Sequence, residues 1–318
     1  MGHGGGELTV RVGVIGVGAL GQHHARVYAQ LPGVRLAGVH DASAARAEEV
    51  ARRHGTRAFA DVGELLAEVD AVSVAVPTVD HHRTALLALE AGKDVLVEKP
   101  MAATLAEADD LVRVAAERGV LLQVGHIERF NPAVGFLRAH ATRPRFIEVH
   151  RLASFSPRSL DIDVVLDLMI HDLDIVLWLD GSLPVQVDAV GVPVLTAKAD
   201  IANARLRFAS GLIANLTASR VSAEKVRKFR VFSPRTYVSL DLAARAAAVH
   251  RLIDRDGRPD IAIERMAAPD EEPLAGQLAA FVSSVGTRSA PLVSGADGRR
   301  ALGLAHTILA RMAEHQRA

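Results

Sequence analysis

The chain has 318 residues, no cysteine, and equal numbers of basic and acidic side chains, with 37 lysines and arginines against 37 aspartates and glutamates. This length allows two domains of ordinary size. Zero formal charge and an aromatic content of 4% argue against a nucleic-acid partner, which needs a basic face and stacking side chains. The lack of cysteine excludes disulfides, catalytic thiolates and zinc–thiolate sites, and it favours the cytoplasm as the compartment. No apolar run approaches the ~20 residues that span a bilayer, so we expect no membrane partner.

The first predicted strand, Val10 to Ile15, leads directly into a glycine-rich loop. The loop has the G-x-G-x-x-G spacing, and a helical stretch to about Gln30 follows it. In this pattern the glycines allow a tight turn, a close approach of the backbone to a pyrophosphate, and close packing of helix on sheet. The amino terminus of the helix adds unpaired N–H groups that favour phosphate. The sequence therefore predicts a dinucleotide site at Gly16, Gly18, Ala19, Leu20 and Gly21.

A second predicted strand, Val34 to His40, ends at Asp41. Asp41 lies 20 residues after Gly21, where the acid that binds a ribose 2′-hydroxyl is expected. A carboxylate at this position repels a 2′-phosphate, so the spacing favours NAD over NADP as the cofactor. Arg46 could offset that charge, but it falls inside the next predicted helix. Asp41 could instead only cap that helix or end the strand in solvent.

Strands and helices keep alternating as far as about Gly125. Ser43 begins a helix that Gly55 ends, and Thr104 with Glu107 fits a capping box at the start of another. The further predicted strands are Ala71 to Val76, Val95 to Val97 and Val120 to Val124. Alternating βα units of this length indicate a parallel, doubly wound sheet. The sequence therefore predicts an α/β, Rossmann-type NAD-binding domain over residues 7–126.

The stretch Glu98-Lys99-Pro100 directly follows the apolar run Val95 to Val97. Ligands of open α/β sheets bind at the carboxyl ends of the strands, so a lysine at this point faces the predicted site. Pro100 has no backbone donor and a fixed φ, which stiffens the exit from the strand. With the glycine loop upstream, Lys99 is a candidate active-site residue of a dehydrogenase.

From about Arg145 the pattern changes to strand-like alternation. The predicted strands are Ile201 to Phe208, Leu212 to Arg220, Val226 to Phe232, Tyr237 to Asp241 and Ala247 to Ile253. Ser210-Gly211 joins the first two as a hairpin. Neighbouring strands with short turns indicate an α+β domain over residues 127–318, with a mostly antiparallel, open-faced sheet and helices near the chain end. Because an open face exposes apolar surface, we expect a homodimer or homotetramer formed through it.

One predicted helix of the second half, Val164 to Leu179, is apolar almost all round and should be buried. Asp167, His171 and Asp174 interrupt it at i, i+4 and i+7, so in a regular helix they share one polar stripe. In such a stripe Asp167 or Asp174 can hold a histidine nitrogen and raise its basicity. Two alternatives stay open, a satisfied core polar network and a metal site of two carboxylates and one histidine. Further spaced ligands are not evident, so no metal is predicted.

Together these motifs resemble the Gfo/Idh/MocA oxidoreductase family over nearly the whole chain. The resemblance rests on the glycine loop, on Pro77-Thr78 with His81, on Ala91-Gly92-Lys93 before Glu98-Lys99-Pro100, and on Asp167 with His171 and Asp174. It implies an NAD-dependent dehydrogenase with a small-molecule substrate. It also implies a catalytic set of Lys99, Asp167 and His171. Thr78, His81 and Glu98 would lie along the cofactor.

Three shorter segments are similar to one bacterial branch of that family. They are Gly125-His126-Ile127-Glu128-Arg129-Phe130-Asn131-Pro132, Asp163 to Asp174, and Asn215-Leu216-Thr217-Ala218-Ser219-Arg220. The branch includes UDP-N-acetylglucosamine 3-dehydrogenases, which implies oxidation of a secondary ring hydroxyl of a nucleotide sugar. The residues proposed for substrate contact are Glu128, Arg129, Asn131 and Asp174. Alternatively, the first segment only joins the two domains.

Two other functions remain open at this stage, an inositol or free-sugar dehydrogenase and a non-catalytic NAD-sensing regulator on the same fold. In the enzymatic hypothesis, His171 held by Asp167 takes the hydroxyl proton, and Lys99 stabilises the charge that develops on the oxygen. Lys99 could instead be the base. The hypothesis requires the amine of one domain and the imidazole of the other to meet at one oxygen.

A basic stretch lies near residue 227 and consists of Lys225, Arg227, Lys228 and Arg230. We expect these side chains to form a solvated strand face. Alternatively, they could reach a substrate diphosphate.

Overall fold

The computed structural model describes residues 9–155, 162–267 and 271–315. Its contacts divide the chain into two compact units. The first unit comprises the chain up to His126 together with Glu272–Arg299, and the second comprises Ile127–Glu271 together with the chain from Arg300 onwards. The chain first passes from one unit to the other after His126, and residues 272–299, which the sequence places in the second domain, pack with the first unit. The predicted outer limits at residues 7 and 318 lie outside the described residues.

The first unit alternates strands and helices. Its elements are β1 (Val10–Ile15), α1 (Gly21–Tyr28), β2 (Val34–His40), α2 (Ala44–His54), β3 (Arg57–Ala58), α3 (Val62–Glu68), β4 (Ala71–Val74), α4 (Thr78–Glu90), β5 (Asp94–Glu98), α5 (Leu105–Arg118), β6 (Leu122–Gly125) and α8 (Pro273–Thr287). The six strands form one sheet in the order β3-β2-β1-β4-β5-β6, and every pair is parallel. The predicted doubly wound parallel sheet is confirmed.

The helix limits of this unit follow from short-range capping groups. The side chain of Ser43 accepts a hydrogen bond from the backbone of Arg46 at the start of α2. Thr104 and Glu107 form the predicted capping box of α5. Gly55 and Gly119 end the same two helices at positive φ, +63° and +66°, a conformation that costs glycine little.

Helix α8 explains why residues 272–299 join the first unit. Its apolar side chains Leu274, Leu278 and Phe281 are buried, and the helix packs against α1 and β1. An amphipathic pattern tells us that a helix has a buried face, but it does not say which of two cores receives that face. The domain assignment of this helix therefore depended on tertiary packing.

The second unit is built on one large sheet. Its elements are a 3₁₀ turn (Ile127–Phe130), α6 (Pro132–His140), β7 (Phe146–Leu152), a π-helical turn (Val165–Met169), α7 (Ile170–Asp180), β8 (Gln186–Val192), β9 (Ile201–Arg207), β10 (Ile213–Ser219), β11 (Val226–Ser233), β12 (Thr236–Asp241), β13 (Ala246–Arg255), β14 (Arg258–Arg265) and, from Arg300, most of α9 (Gly295–His315). The strand order is β14-β13-β12-β11-β7-β10-β9-β8. Among the described strands of this sheet, only β7 with β10 is a parallel pair, so the mostly antiparallel sheet is confirmed.

The two faces of this sheet differ in what covers them. Strand alternation turns Ile147, Val149, Phe229 and Val231 towards the core that also contains α7 and the end of α9. The opposite face carries a cross-strand aromatic row, in which Phe146, Phe232, Tyr237 and His250 follow one another across β7, β11, β12 and β13.

Even the 21-residue helix α9 contains several charged side chains, and within the described ranges no helix is long and apolar enough to cross a membrane.

Candidate active site

Two of the three motif glycines are required by the packing of the first unit itself. Gly16 has φ +84°, and a Cβ on it would lie 2.8 Å from backbone atoms of Ala75. A Cβ on Gly21 would overlap the carbonyl of Gly16. Gly18 differs, because a Cβ there would have no described protein atom within 4 Å. The backbone at Gly18 thus faces open space, as close approach of a pyrophosphate requires, and the loop fits an NAD cofactor.

A cavity of about 500 Å³ opens next to this loop. Its lining includes Gly16 and Gly18 of the loop, Asp41 after β2, and Asp80 and Thr84 of α4. The cavity lies at the carboxyl ends of β1, β2 and β4, where the strand order reverses and doubly wound sheets bind ligands. Its volume lies within the usual range of about 300–1,000 Å³ for small-molecule sites. The predicted glycine loop and Asp41 therefore share one cavity.

Asp41 holds the glycine loop in place. Its Oδ2 accepts a hydrogen bond of 2.8 Å from the backbone of Val17, and its Oδ1 accepts one of 2.9 Å from Ser43. A carboxylate has about four acceptor positions, so these two bonds leave capacity for ribose hydroxyls. Arg46 lies in α2, as predicted, and donates to the carbonyl of Val17 at 3.0 Å while pairing with Glu49. Loop support and ribose binding are thus compatible roles for Asp41.

The structure gives His81 a different environment from the one expected along the cofactor. The residue is 2% exposed. Its Nδ1 lies 2.7 Å from the carbonyl oxygen of Pro100, and its Nε2 lies 2.9 Å from that of Val76. Burial lowers the pKa of His81, and a neutral ring donates from one nitrogen at a time. Because both nitrogens face protein carbonyls, the contacts favour a role in positioning the turn at Pro100. Thr78, by contrast, begins α4 close to the cavity.

Glu98 is also enclosed by protein groups rather than facing the cavity. Its Oε1 lies 3.2 Å from His24 Nε2 and accepts a hydrogen bond of 3.3 Å from Gln277. A Cβ on Gly125 would lie 2.5 Å from this carboxyl group, so β6 needs a glycine beside it. Burial by itself raises the pKa of Glu98, but His24, the charge of Lys99 and the hydrogen bond from Gln277 together outweigh it, and the pKa is lowered. The buried carboxylate therefore favours a supporting role over the predicted contact with cofactor.

Lys99 stands in a turn that is held on both sides. Its backbone N–H donates to Glu98 Oε2 at 3.3 Å, and the next peptide bond, to Pro100, is cis. The carbonyl of Pro100 is fixed by His81. The side chain of Lys99 is half-buried. The sequence indicated the lysine but not the contacts of His24 and Gln277 with Glu98, because these residues have no motif spacing to Glu98 and reach it through the packing of α1 and α8.

The predicted continuous helix from Val164 to Leu179 is wrong in its first part. Val165–Met169 forms a π-helical turn, in which Ile170 donates to the carbonyl of Val165, before α7 begins at Ile170. The spacing of a regular helix therefore does not apply between Asp167 and His171. Single π-helical turns within helices frequently occur at functional sites. The expectation of burial holds, since most apolar side chains of this segment are inside the core of the second unit.

The predicted polar stripe allowed Asp174 to hold a histidine nitrogen, but Asp174 pairs with an arginine instead. Both of its oxygens accept from Arg129, at 2.6 and 3.0 Å. The two side chains are 1% and 2% exposed, and the guanidinium carbon of Arg129 lies 4.5 Å from the ring centre of Trp178. A buried charge needs such a partner, because desolvation is costly. The pair thus favours a structural role for Arg129 and Asp174 over substrate contact.

Glu128 and Asn131 belong to a neighbouring buried network. Arg151 donates two hydrogen bonds to Asp172, at 2.7 and 2.8 Å, and a third to Glu128 at 3.0 Å. Asn131 donates to Glu128 at 3.1 Å and to the carbonyl of Leu242. Burial raises the pKa of Asp172, and Arg151 opposes that rise. For Glu128 and Asn131 too, the contacts favour a structural role over the proposed contact with substrate.

The sequence missed Arg151 and Asp172, although one signal was present. On β7 the residues Ile147, Val149 and Arg151 share a face by strand alternation, so an arginine follows two core residues on the buried side. Such an arginine needs a buried acid, and its partner is Asp172, which lies on α7 outside the predicted stripe.

Lys99 belongs to the first unit and both Asp167 and His171 belong to the second. Their convergence on one oxygen stays a prediction, and within the described ranges no cluster of three potential metal ligands occurs.

Comparison with known proteins matches both units to one family. Residues 10–126 match the oxidoreductase family with an NAD-binding Rossmann fold, and residues 134–237 match the GFO/IDH/MocA C-terminal domain. The chain belongs to the GFO/IDH/MocA oxidoreductase family. The predicted family, the dehydrogenase class and the NAD cofactor are thereby confirmed.

Individual relatives match the chain over different lengths. The UDP-N-acetylglucosamine 3-dehydrogenase of Acidithiobacillus ferrooxidans is 44% identical over 301 residues, which cover 94% of this chain and 96% of that enzyme. Its solved structure has a TM-score of 0.89, with 95% of this chain and 97% of that chain covered at 43% identity. A scyllo-inositol 2-dehydrogenase (NAD⁺) of Bacillus subtilis is 32% identical over 68% of this chain and 69% of that enzyme.

Proposed function

We propose that this oxidoreductase uses NAD to oxidise the C3 hydroxyl of a nucleotide sugar such as UDP-N-acetylglucosamine. The observation that carries the proposal is the 44% identity to an enzyme of that activity across both units, including the second unit, where substrate specificity is expected to reside. The inositol dehydrogenase relatives support the alternative of a cyclitol or free-sugar substrate, with matches that cover between about half and two thirds of this chain. A cysteine-free chain and a nucleotide substrate both fit the cytoplasm.

In the proposed reaction, bound NAD supplies the hydride acceptor at its nicotinamide ring. His171, oriented by Asp167, takes the proton of the sugar hydroxyl. Lys99 donates a hydrogen bond to the same oxygen and stabilises its developing negative charge. His81 and Glu98 hold the backbone of the turn that carries Lys99, so the lysine side chain starts from a fixed position. The reverse assignment, with Lys99 as the base, uses the same residues.

The glycine loop and Asp41 would hold the cofactor. The open backbone at Gly18 would face the pyrophosphate, and the amino terminus of α1 would contribute unpaired N–H groups. The free acceptor positions of Asp41 would bind the ribose hydroxyls. Thr78, at the start of α4, would lie next to the bound nucleotide.

We also propose that a second copy of the chain covers the open face of the sheet in the second unit. The aromatic row reaches an apolar edge, where Ile263 pairs with His250 and is 47% exposed, and Phe232 is 37% exposed. The salt bridges Arg230–Glu148 and Lys228–Asp241 flank this row. A face with both apolar and paired charged groups suits self-association about a two-fold axis. Light scattering would test it, and a monomer at micromolar concentration would contradict it.

The function is tested by absorbance at the reduced-nicotinamide band with NAD and a panel of substrates. UDP-N-acetylglucosamine should give the highest kcat/KM among UDP-sugars, free sugars and inositols. A higher kcat/KM for an inositol or a free sugar would favour the alternative. Oxidation at C3 would be identified by nuclear magnetic resonance of the product, and a product oxidised at another carbon would contradict the assignment.

A further inference from the structure

The basic stretch at the start of β11 is divided by the sheet between two faces. Lys228 pairs with Asp241 at 2.7 Å, and Arg230 pairs with Glu148 at 2.8 Å. Both lie on the open face, in step with the aromatic Phe232. The charges of Lys228 and Arg230 are thus balanced by acids of neighbouring strands, as expected for a solvated strand face.

Arg227 lies on the opposite face of the same strand. It alternates with the core residues Phe229 and Val231. In the ladder between β11 and β7, Arg227 stands directly opposite Arg151, just as Phe229 stands opposite Val149. The core face of the sheet therefore ends in two adjacent arginines.

The two arginines differ in their partners. Arg151 is buried and hydrogen-bonds to Asp172 and Glu128. Arg227 is partly exposed, and its side chain makes no hydrogen bond or ion pair with any residue that the structure describes. Burial raises the pKa of Asp172, and the charge of Arg227 acts with that of Arg151 to oppose this rise.

Like charges placed directly opposite on neighbouring strands are destabilising, so a second arginine beside Arg151 has a cost. An anion bound at Arg227 would remove that cost. Asp172, which anchors Arg151, is the neighbour of His171 in α7. The free guanidinium therefore lies beside the helix that carries the proposed base, within the same unit.

We propose that Arg227 binds the diphosphate of the nucleotide-sugar substrate. This inference rests on the proposed function, because a free sugar or an inositol has no phosphate. The planar guanidinium donates two parallel hydrogen bonds to a phosphate, which a lysine cannot do. Arg227 thereby selects the UDP portion, while His171 and Asp167 act on the sugar ring.

The test compares substrates with and without the diphosphate in wild type and in Arg227→Met. The variant should raise the KM for UDP-N-acetylglucosamine by about 10- to 100-fold, because it loses a hydrogen bond to a charged group, and this is the usual size of that loss. The kcat/KM for N-acetylglucosamine, which lacks phosphate, should stay unchanged. Lys228→Met removes one positive charge from the open face of the same strand and should leave both values at wild-type level. Affinity for NAD should be unchanged in both variants.

The outcomes separate this inference from the proposed function. If wild type oxidises UDP-N-acetylglucosamine and Arg227→Met has the same KM, the role of Arg227 is overturned and the function stands. If wild type does not oxidise it, the function fails, and calorimetry with UDP alone still decides on Arg227, because equal or absent binding in wild type and variant overturns the inference. Should Arg227→Met not fold, Arg227→Lys keeps the charge and loses the fork, and unchanged affinity for UDP in that variant would overturn it.

Discussion

The glycine loop of the first unit and helix α7 of the second contain the two groups of residues that the sequence marks most clearly. In the loop, the backbone itself provides the proposed site, and the motif spacing fixes how that backbone turns. In α7, side chains would provide the site, and the partners of its buried acids Asp172 and Asp174 come from β7 and from the 3₁₀ turn. Spacing predicted the glycine loop and Asp41, which share one cavity, whereas at α7 it did not predict that Asp174 pairs with Arg129. A motif is thus most reliable where the functional group is the main chain.

The largest expected effect is the loss of turnover when Lys99 of the first unit or His171 of the second is replaced. Lys99→Ala and His171→Ala should each lower kcat with UDP-N-acetylglucosamine by about 10²- to 10⁴-fold, the usual contribution of positioned acid–base groups. Binding of NAD, followed by fluorescence, should persist, because the glycine loop is untouched. Wild-type turnover in either variant would remove that residue from the catalytic set.

The next effect would establish that Asp174 is structural. Arg129→Ala leaves a buried carboxylate without its partner, which should lower the free energy of unfolding by about 3–5 kcal/mol. The matched control is Arg230→Ala, since the pair with Glu148 is about one third exposed and should contribute only about 0–1 kcal/mol. Urea unfolding measures both. A similar small loss in the two variants would mean that the Arg129–Asp174 pair does not stabilise the unit.

A smaller effect separates packing from binding inside the glycine loop. Gly16→Ala should destabilise the protein by at least about 1 kcal/mol, because alanine is strained at positive φ and its Cβ would contact the backbone of Ala75. Gly18→Ala should change stability by less than about 0.5 kcal/mol, because its methyl group contacts no described protein atom. It should lower the affinity for NAD, because the methyl group would occupy the space proposed for the pyrophosphate. Thermal unfolding and NAD titration on the same samples provide the comparison. Normal NAD affinity in Gly18→Ala would contradict the proposed position of the pyrophosphate.

The smallest expected effect concerns the choice of cofactor. Asp41→Asn keeps one carbonyl oxygen for hydrogen bonding and removes the negative charge that repels a 2′-phosphate. The ratio of NADP to NAD affinity should rise by an amount equivalent to about 1 kcal/mol, typical of a partly exposed charge interaction. Asp61→Ser is a suitable control, because Asp61 is an exposed helix cap of the same unit. It removes one negative charge, and the ratio of NADP to NAD affinity should stay unchanged. An unchanged ratio would leave Asp41 only as a support for the loop.

Much of the first unit was predictable because its signals are local. Ser43, Thr104 and Glu107 cap helices through groups within four residues along the chain, and Gly55 and Gly119 end them. The short elements β3 and α3 were not identified, since two strand residues and a two-turn helix carry little periodic pattern. In the second unit, β8 and β14 were also not identified, although the hairpin at Ser210-Gly211 was correct.

The sequence by itself determined the alternating βα units, the glycine loop, the position of Asp41, the lysine turn and the family, because each depends on neighbouring residues or on fixed spacings. Only the tertiary structure decided that α8 packs with the first unit and that a π-helical turn interrupts the helix before His171. It also decided that four polar residues proposed for substrate contact find partners inside the protein. The physical reason is that a buried charge is tolerated only beside its counter-charge, and which charges become neighbours depends on how distant elements pack.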